Sequence, residues 1–386
     1  MTLEARAREL VRRFEQRMHA TPEGVWAAPG RANLIGEHTD YNGGFALPFG
    51  IEQCALVAVR RRGDGTLRLV SLQSGEAELS LAELTGARIA GWAAYVAGSA
   101  WSLMAAGARP GGFDLLLDSD VPVGAGLSSS AAVECATLVA LAELWRHSMA
   151  PIDLARLAQR AENQVAGVPC GLMDQLASMC AQPARVLFVD FQSTAVAPLE
   201  LPLAAAGLEL LVVDTRAPHQ LADGAYAERR RACQEAARAL GVATLRDARL
   251  EALAGAALPP EGQRRARHVI SENARVLAAV ELLREAAPAS RLERLGPLLS
   301  ASHASLRDDF EVSVPHLDVA QATAEQAGAL GARLMGGGFG GSVLALVPSA
   351  ARAAVESALR AAFSERGWSE PGLFSARPAA GARRVL

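Results

Sequence analysis

The sequence predicts an α+β protein of two domains. Three observations carry this: 386 residues exceed the size at which one hydrophobic core usually stops growing; short apolar runs broken by turn residues follow the N-terminus; and the second half is rich in helical periodicity. With 51% apolar residues, 20% charged residues and a formal net charge of −3, the composition is that of an ordinary globular chain.

The opening stretch MTLEARARELVRRFEQR predicts an amphipathic helix rather than a signal peptide. Apolar runs at Val25 to Ala28, Ala55 to Val59 and Leu67 to Val70 predict strands of a first sheet. A helix from Trp92 to Ala106 follows, then FDLLLDSDVPVGAGLSSSAAVECATLVALAELW reads as strand, glycine-rich turn and a helix from about Ser129 to Trp145. Further helices are expected at Ile152 to Ala166 and Leu172 to Cys180, before a strand at Val186 to Phe191. The boundary falls there, between units 1–185 and 186–386. The second unit opens on a strand, Leu208 to Val213, and continues with helices near Ala222 to Leu240, Glu261 to Glu285 and Arg291 to Ser302. GARLMGGGFGGSVLALVP reads as strand, glycine loop, strand, ahead of a helix from Ala350 to Glu365.

Composition also excludes. The chain contains no lysine, so all 38 basic residues are arginine. A Walker A site, a protein kinase, a pyridoxal enzyme or a Schiff-base aldolase each needs an amine, so any phosphate here is handled by backbone amides, arginine and metal. The five cysteines are widely spaced, without the pairing of a zinc site or disulfide framework. A nearly neutral chain gives no electrostatic footprint for nucleic acid or an anionic membrane. With no apolar run of spanning length either, the chain is expected in the cytoplasm, as a monomer.

Three glycine-bearing segments hold the chemistry. In VPVGAGLSSSAA, Gly124 and Gly126 lie between a strand and a helix whose start carries Ser128, Ser129 and Ser130. Free amides and the positive end of the helix dipole favour phosphate there; a serine cap on a structural helix is the plainer alternative. Gly336 to Gly341 fits G-x-G-x-x-G, but a strand follows instead of a helix, so it is no dinucleotide fingerprint; either a structural hairpin or backbone packed against a ligand or loop suits it. APGRANLIGEHTDYNGGFALPFG concentrates Arg31, Glu37, His38 and Asp40. Carboxylates so placed can take paired hydrogen bonds from sugar hydroxyls, with a metal site from Glu37, His38 and Asp40, or a polar surface loop, as rivals.

In this order the segments resemble the GHMP kinase superfamily, and within it the galactokinase family. GRANLIGEHTDYNGG is similar to that family's signature, departing at Ala32, where valine is usual; CGLMDQLAS, YAERRRACQEA and SHASLRDDFEVSVPHLD extend the likeness from about Val25 to Val347. The resemblance implies an N-terminal mixed sheet with helices, ribosomal-S5-domain-2-like, a C-terminal α/β sandwich, and an active site in the cleft between them. It implies that Glu37, His38, Asp40, Gly171, Asp174 and Tyr226 hold galactose, with Arg31 and Asp174 at its anomeric hydroxyl. Gly124, Ala125, Gly126, Leu127, Ser128, Ser129 and Ser130 would wrap the phosphates of ATP, Trp92 would lie near the adenine, and Ser130 and Glu162 would bind Mg2+. The loop at Gly336 to Gly341 would brace the phosphate turn. Core packing for Trp92 or Tyr226, a solvated helix position for Glu162 and a helix cap for Asp174 are the plainer roles.

Phosphoryl transfer passes through a loose transition state, so positioning and charge stabilisation dominate. Asp174 would accept the hydroxyl proton and Arg31 would offset the charge. An aspartate beside an arginine is a weak base, so proton transfer comes late.

Overall fold

Strand β1 (Gly24–Asn33) is buried along its whole length and pairs antiparallel with β3 (Pro48–Arg61). The computed structural model describes residues 1–84, 89–217, 222–285 and 289–386. Between these two strands the chain makes a polar loop containing the two-residue strand β2 (Phe45–Ala46). With β4 (Thr66–Ser71), β5 (Gly75–Ser80) and β6 (Phe113–Ser119) they form a mixed sheet in which β4 runs parallel to β6.

Helix α1 (Leu3–Met18) covers one face of that sheet. Ala7, Leu10, Phe14 and Met18 repeat at helical spacing and pack on Val25, Ala27, Cys54, Leu56 and Ala58. The other face, including Trp26, Val57, Leu115 and Leu117, is covered by α3 (Ser129–Leu144) and α5 (Met173–Cys180), with α2 (Ala93–Ala105) packed on α3. Helix α3 is apolar nearly all round, as a helix buried between layers must be.

The expected helix at Ile152 to Ala166 divides. Regular α4 (Pro151–Ala161) gives way to a π-helical turn, Glu162–Ala166, closed by Gly167 at φ 75°. The widened turn carries Glu162 into the interior, where a continuous amphipathic stripe would not have shown it.

Strands β7 (Arg185–Asp190) and β8 (Ala195–Glu200) form a small sheet with β2. Next, β9 (Leu208–Asp214) joins β10 (Gly331–Met335), β11 (Ser342–Pro348) and β12 (Gly372–Ser375) in a second main sheet, ordered β10-β11-β9-β12. Its side chains alternate: Leu210, Val212, Leu344 and Leu346 face the large core shared with the first sheet, while Leu211, Val213, Val343 and Ala345 face a separate core. That second core is closed by α6 (Ala222–Ala239), α7 (Leu250–Leu253), α8 (Pro260–Arg284), α9 (Leu295–Asp308), α10 (Pro315–Gln326) and α11 (Arg352–Glu365).

Sequence periodicity does not reveal α10, and it starts the preceding helix too early. Residues Ala289–Arg294 form a 3-10 turn, and α9 proper runs on to Asp308. The last segment returns to the first sheet as β13 (Arg383–Arg384), paired with β1. No described helix is long and apolar enough to cross a membrane.

Candidate active site

Strand β1 ends by carrying Arg31 into the interior. Its guanidinium meets Asp174, on the first turn of α5, with Nε 2.9 Å and Nη2 2.8 Å from Oδ1. Through Nη1 it donates to the carbonyl of Gly126, and its backbone N–H reaches the Leu127 carbonyl at 3.0 Å. One arginine therefore ties together the sugar signature, the glycine-rich turn and α5. Only 4% of it is exposed, so these charge-assisted bonds are little weakened by water.

Gly124 and Gly126 take φ of 76° and 70°, which a side chain would strain. Ser128 shares that left-handed region at φ 57° and makes no capping bond to α3. Its hydroxyl instead donates to Asp174 Oδ2. The serine-cap alternative thus fails for Ser128, because its oxygen accepts no amide of α3 and its hydroxyl points at the carboxylate opposite. The hairpin loop between β10 and β11 lies against this turn: Ser342 Oγ donates to the Ala125 carbonyl at 2.7 Å, and a Cβ on Gly336 would sit 3.4 Å from the Gly126 oxygen.

A cavity of about 190 Å³ opens beside Asp174. Arg31, Glu37, His38, Asp40, Gly171, Asp174 and Tyr226 all line it, together with Glu162, Cys170, Gly336 and Gly337. Glu37 is held at Oε1 by the Gly336 amide at 2.9 Å and by Arg333, also at 2.9 Å. His38, at φ 61°, bonds Tyr41 through Nδ1 at 2.8 Å, and its ring lies 4.5 Å from Phe310 and 5.7 Å from Tyr226. Burial lowers this imidazole to about 3, so it is neutral. Burial raises the Asp40 carboxyl to about 6, and the charges of Asp174 and Glu37 push the same way. Gly171 backs Asp40 so closely that a Cβ there would fall inside the carboxylate. The polar-surface-loop alternative fails, since Arg31, Glu37 and His38 are buried.

Glu162 is not a solvated helix residue: it is 5% exposed. Gln175 Nε2 donates to its Oε2 at 2.6 Å, and Ser130 bonds it as well. Burial raises its carboxyl to about 7, opposed by the Ser130 bond and reinforced by Asp174. Glu134 of α3, fully buried, has an Oε1 with no partner. Carboxylates gathered in a dry spot beside serine hydroxyls are hard-oxygen donors short of positive charge, which suits Mg2+. Among the described residues no group of three or more His, Cys, Asp or Glu is arranged to hold a metal. That overturns a Glu37–His38–Asp40 metal site, since Glu37 and His38 already have other partners. It does not tell against Mg2+, which needs only one or two carboxylates when phosphate oxygens supply the rest.

A second cavity, about 520 Å³, lies beyond Ser129 and Ser130 and includes Trp92, Tyr95, Gln73 and Val123 in its wall. Trp92 is also packed against the large core, so packing and a place on this wall coexist.

Sequence reasoning missed the groups that hold the signature loop from behind. Glu272 of α8 accepts the Gly36 amide at 3.0 Å, and His268 Nε2 donates to the Glu37 carbonyl at 3.1 Å. Their spacing of four residues, about one turn of α8, brings both to one face, a signal visible only once the loop is known to lie there. His268 is fully buried; burial lowers its imidazole to about 4, opposed by Glu272 and reinforced by Arg275. Unfolded, the ring returns to about 6.5. Its contribution to stability is therefore full above that pH and is lost as pH falls towards 4. The stability advantage of wild type over His268→Asn is expected to shrink by about 2 kcal/mol between roughly pH 7.5 and pH 5, measured by urea unfolding. A pH-independent difference would mean that the folded ring is not held neutral.

A buried arginine paired with a half-buried aspartate, set between a small polar cavity and a helix start open to phosphate, defines a small-molecule kinase. Family profiles agree: GHMP kinases N terminal domain matches residues 94–182, GHMP kinases C terminal matches 279–365, and the galactokinase galactose-binding signature matches 12–61. The chain is 45% identical to a galactokinase of Streptomyces coelicolor, covering 99% of this chain and 100% of that one. A galactokinase of Mycobacterium bovis is 42% identical, covering 92% and 98%. The crystal structure of Lactococcus lactis galactokinase complexed with galactose superposes with TM-score 0.93 at 31% identity, covering 98% and 99%. The chain belongs to the galactokinase family of the GHMP kinases.

Proposed function

We propose that this enzyme transfers the γ-phosphate of ATP to the C1 hydroxyl of D-galactose, giving galactose 1-phosphate and ADP. One observation carries the reading: the Asp174 carboxylate is fixed by Arg31 and Ser128 at the border between the small cavity and the start of α3. Galactose fills the small cavity, with Glu37, His38, Asp40, Gly171 and Tyr226 as its wall. The turn Gly124–Ser130 takes the phosphates, and the base lies towards Trp92 in the larger cavity. Residues 1–185 and 186–386 act as two units, in the cytoplasm, as a monomer.

A carboxylate has about four lone-pair sites, so Asp174 can accept the C1 hydroxyl while keeping both present partners. As the bond from O1 to the γ-phosphorus forms and the bond to the β,γ-bridging oxygen breaks, the hydroxyl proton passes to Asp174. Arg31 faces both the carboxylate and the phosphate turn, and so offsets charge on each side of the transfer. The first-turn amides of α3 carry no side-chain cap and are free to donate to phosphate. Ser130 and Glu162 would hold Mg2+, which screens the phosphate oxygens when bound.

The deciding experiment is ADP release over a sugar panel with ATP and Mg2+. Galactose is expected to give the highest kcat/KM, and excess EDTA is expected to abolish turnover. Preference for N-acetylgalactosamine or arabinose would reassign the substrate; galactose binding without ADP release would make the chain a sensor.

A further inference from the structure

We infer that Arg333 is the positioning residue that holds the Glu37 carboxylate aimed into the cavity, so that affinity for the sugar is set partly from a strand that does not line it. This rests on the reading of Glu37 as a sugar ligand.

Arg333 sits in the middle of β10, a strand buried at every position, and is itself 0% exposed. Its strand neighbours Ala332 and Leu334 face the second core, so alternation turns Arg333 the opposite way, towards the signature loop. There it donates through Nη1 to the carbonyls of Asn33 at 2.8 Å and Leu34 at 3.2 Å, and pairs through Nη2 with Glu37 Oε1 at 2.9 Å. Residues 33–37 thus curl round one guanidinium, whose planar fork reaches several acceptors where an ammonium would reach fewer.

Neither charge has an equal substitute. Glu272, a nearby buried carboxylate, is ion-paired with Arg275 at 2.7 Å and accepts from Gly36 and Ser302. The imidazoles of His268 and His303 are both lowered by burial and are neutral. Removing Arg333 therefore leaves the Glu37 carboxylate, 2% exposed, without its ion-pair partner, and the cheapest relief is for it to swing away from the cavity. Arg31 and Asp174 do not touch Arg333, so the phosphoryl-transfer geometry is left in place. This division separates a positioning role from a merely structural one.

The test is steady-state ADP release with galactose and ATP varied separately, on Arg333→Met, Arg333→Lys, Glu37→Gln and the double variant Glu37→Gln/Arg333→Met, each checked by circular dichroism and thermal melting. Arg333→Met is expected to raise the galactose KM about 100-fold, with kcat and the ATP KM within about threefold of wild type. Arg333→Lys is expected to fall between. The double variant should have a galactose KM no higher than Glu37→Gln alone and should melt above Arg333→Met, because the stranded charge is gone. An unchanged galactose KM in Arg333→Met, or losses that multiply in the double variant, would overturn the inference. If Arg333→Met does not fold, Arg333→Lys decides, and a wild-type galactose KM in it refutes the role. An unchanged galactose KM in Glu37→Gln would instead refute the sugar reading of Glu37.

Discussion

Asp174→Asn is expected to lower kcat by about 10²- to 10⁴-fold while galactose still binds. The substitution is nearly isosteric, and the amide oxygen can keep the contact with Arg31, whose Nε lies 2.9 Å from Oδ1. What disappears is the anionic oxygen that Ser128 now addresses and that would receive the sugar proton. The protein should stay folded, because the Asp174 side chain is 27% exposed and the amide oxygen still accepts from the buried Arg31. Single-turnover ADP formation and calorimetric titration with galactose separate the two effects. Turnover within threefold of wild type would leave Asp174 a structural partner of Arg31 and nothing more.

Gly171→Ala should instead strike at sugar binding. The added methyl would coincide with the Asp40 carboxylate, the flexible end of a side chain, so the backbone can survive while Asp40 is driven out of its place. A displacement of about 1 Å at a positioning group can cost on the order of 10²-fold, and the galactose KM is expected to rise by at least about that. The melting temperature should change little. Because the damage passes through Asp40, Gly171→Ala combined with Asp40→Ala should bind galactose no worse than Asp40→Ala alone. A galactose KM within a factor of three of wild type would show that Asp40 does not contact the sugar.

The legible part of the fold was whatever strict periodicity wrote down. Helix α1 shows its apolar stripe at Ala7, Leu10, Phe14 and Met18, and β9 shows a continuous apolar run. Elements held by tertiary pairing left no such mark. Strand β5, GEAELS, is largely polar because it lies at an edge, and β12 and β13 are strands only by virtue of β9 and β1 beside them. The candidate site divides the same way. Arg31, Glu37, His38 and Asp40 announce themselves by crowding into one loop, and Gly171 and Asp174 by a further short stretch. The supports behind them lie 230 to 300 residues away in sequence and resemble ordinary helix and strand residues. Arg333, inside GARLM, stands out from its apolar neighbours only once that strand is known to be buried at every position. Glu162 was indicated by the family resemblance alone, because the change of helical pitch that turns it inward leaves no regular pattern.

The pairing of β13 with β1 bears on how this enzyme can be dissected. Trp26 and Ala27 find their outer partners in Arg384 and Arg383, and the Val385 amide bonds the Val25 carbonyl at 2.8 Å. A fragment cut after residue 185 would keep the signature loop and the phosphate turn but lose this seal, leaving β1 with a bare row of amides and carbonyls open to other chains. The first sheet borrows its hem from the far end of the thread.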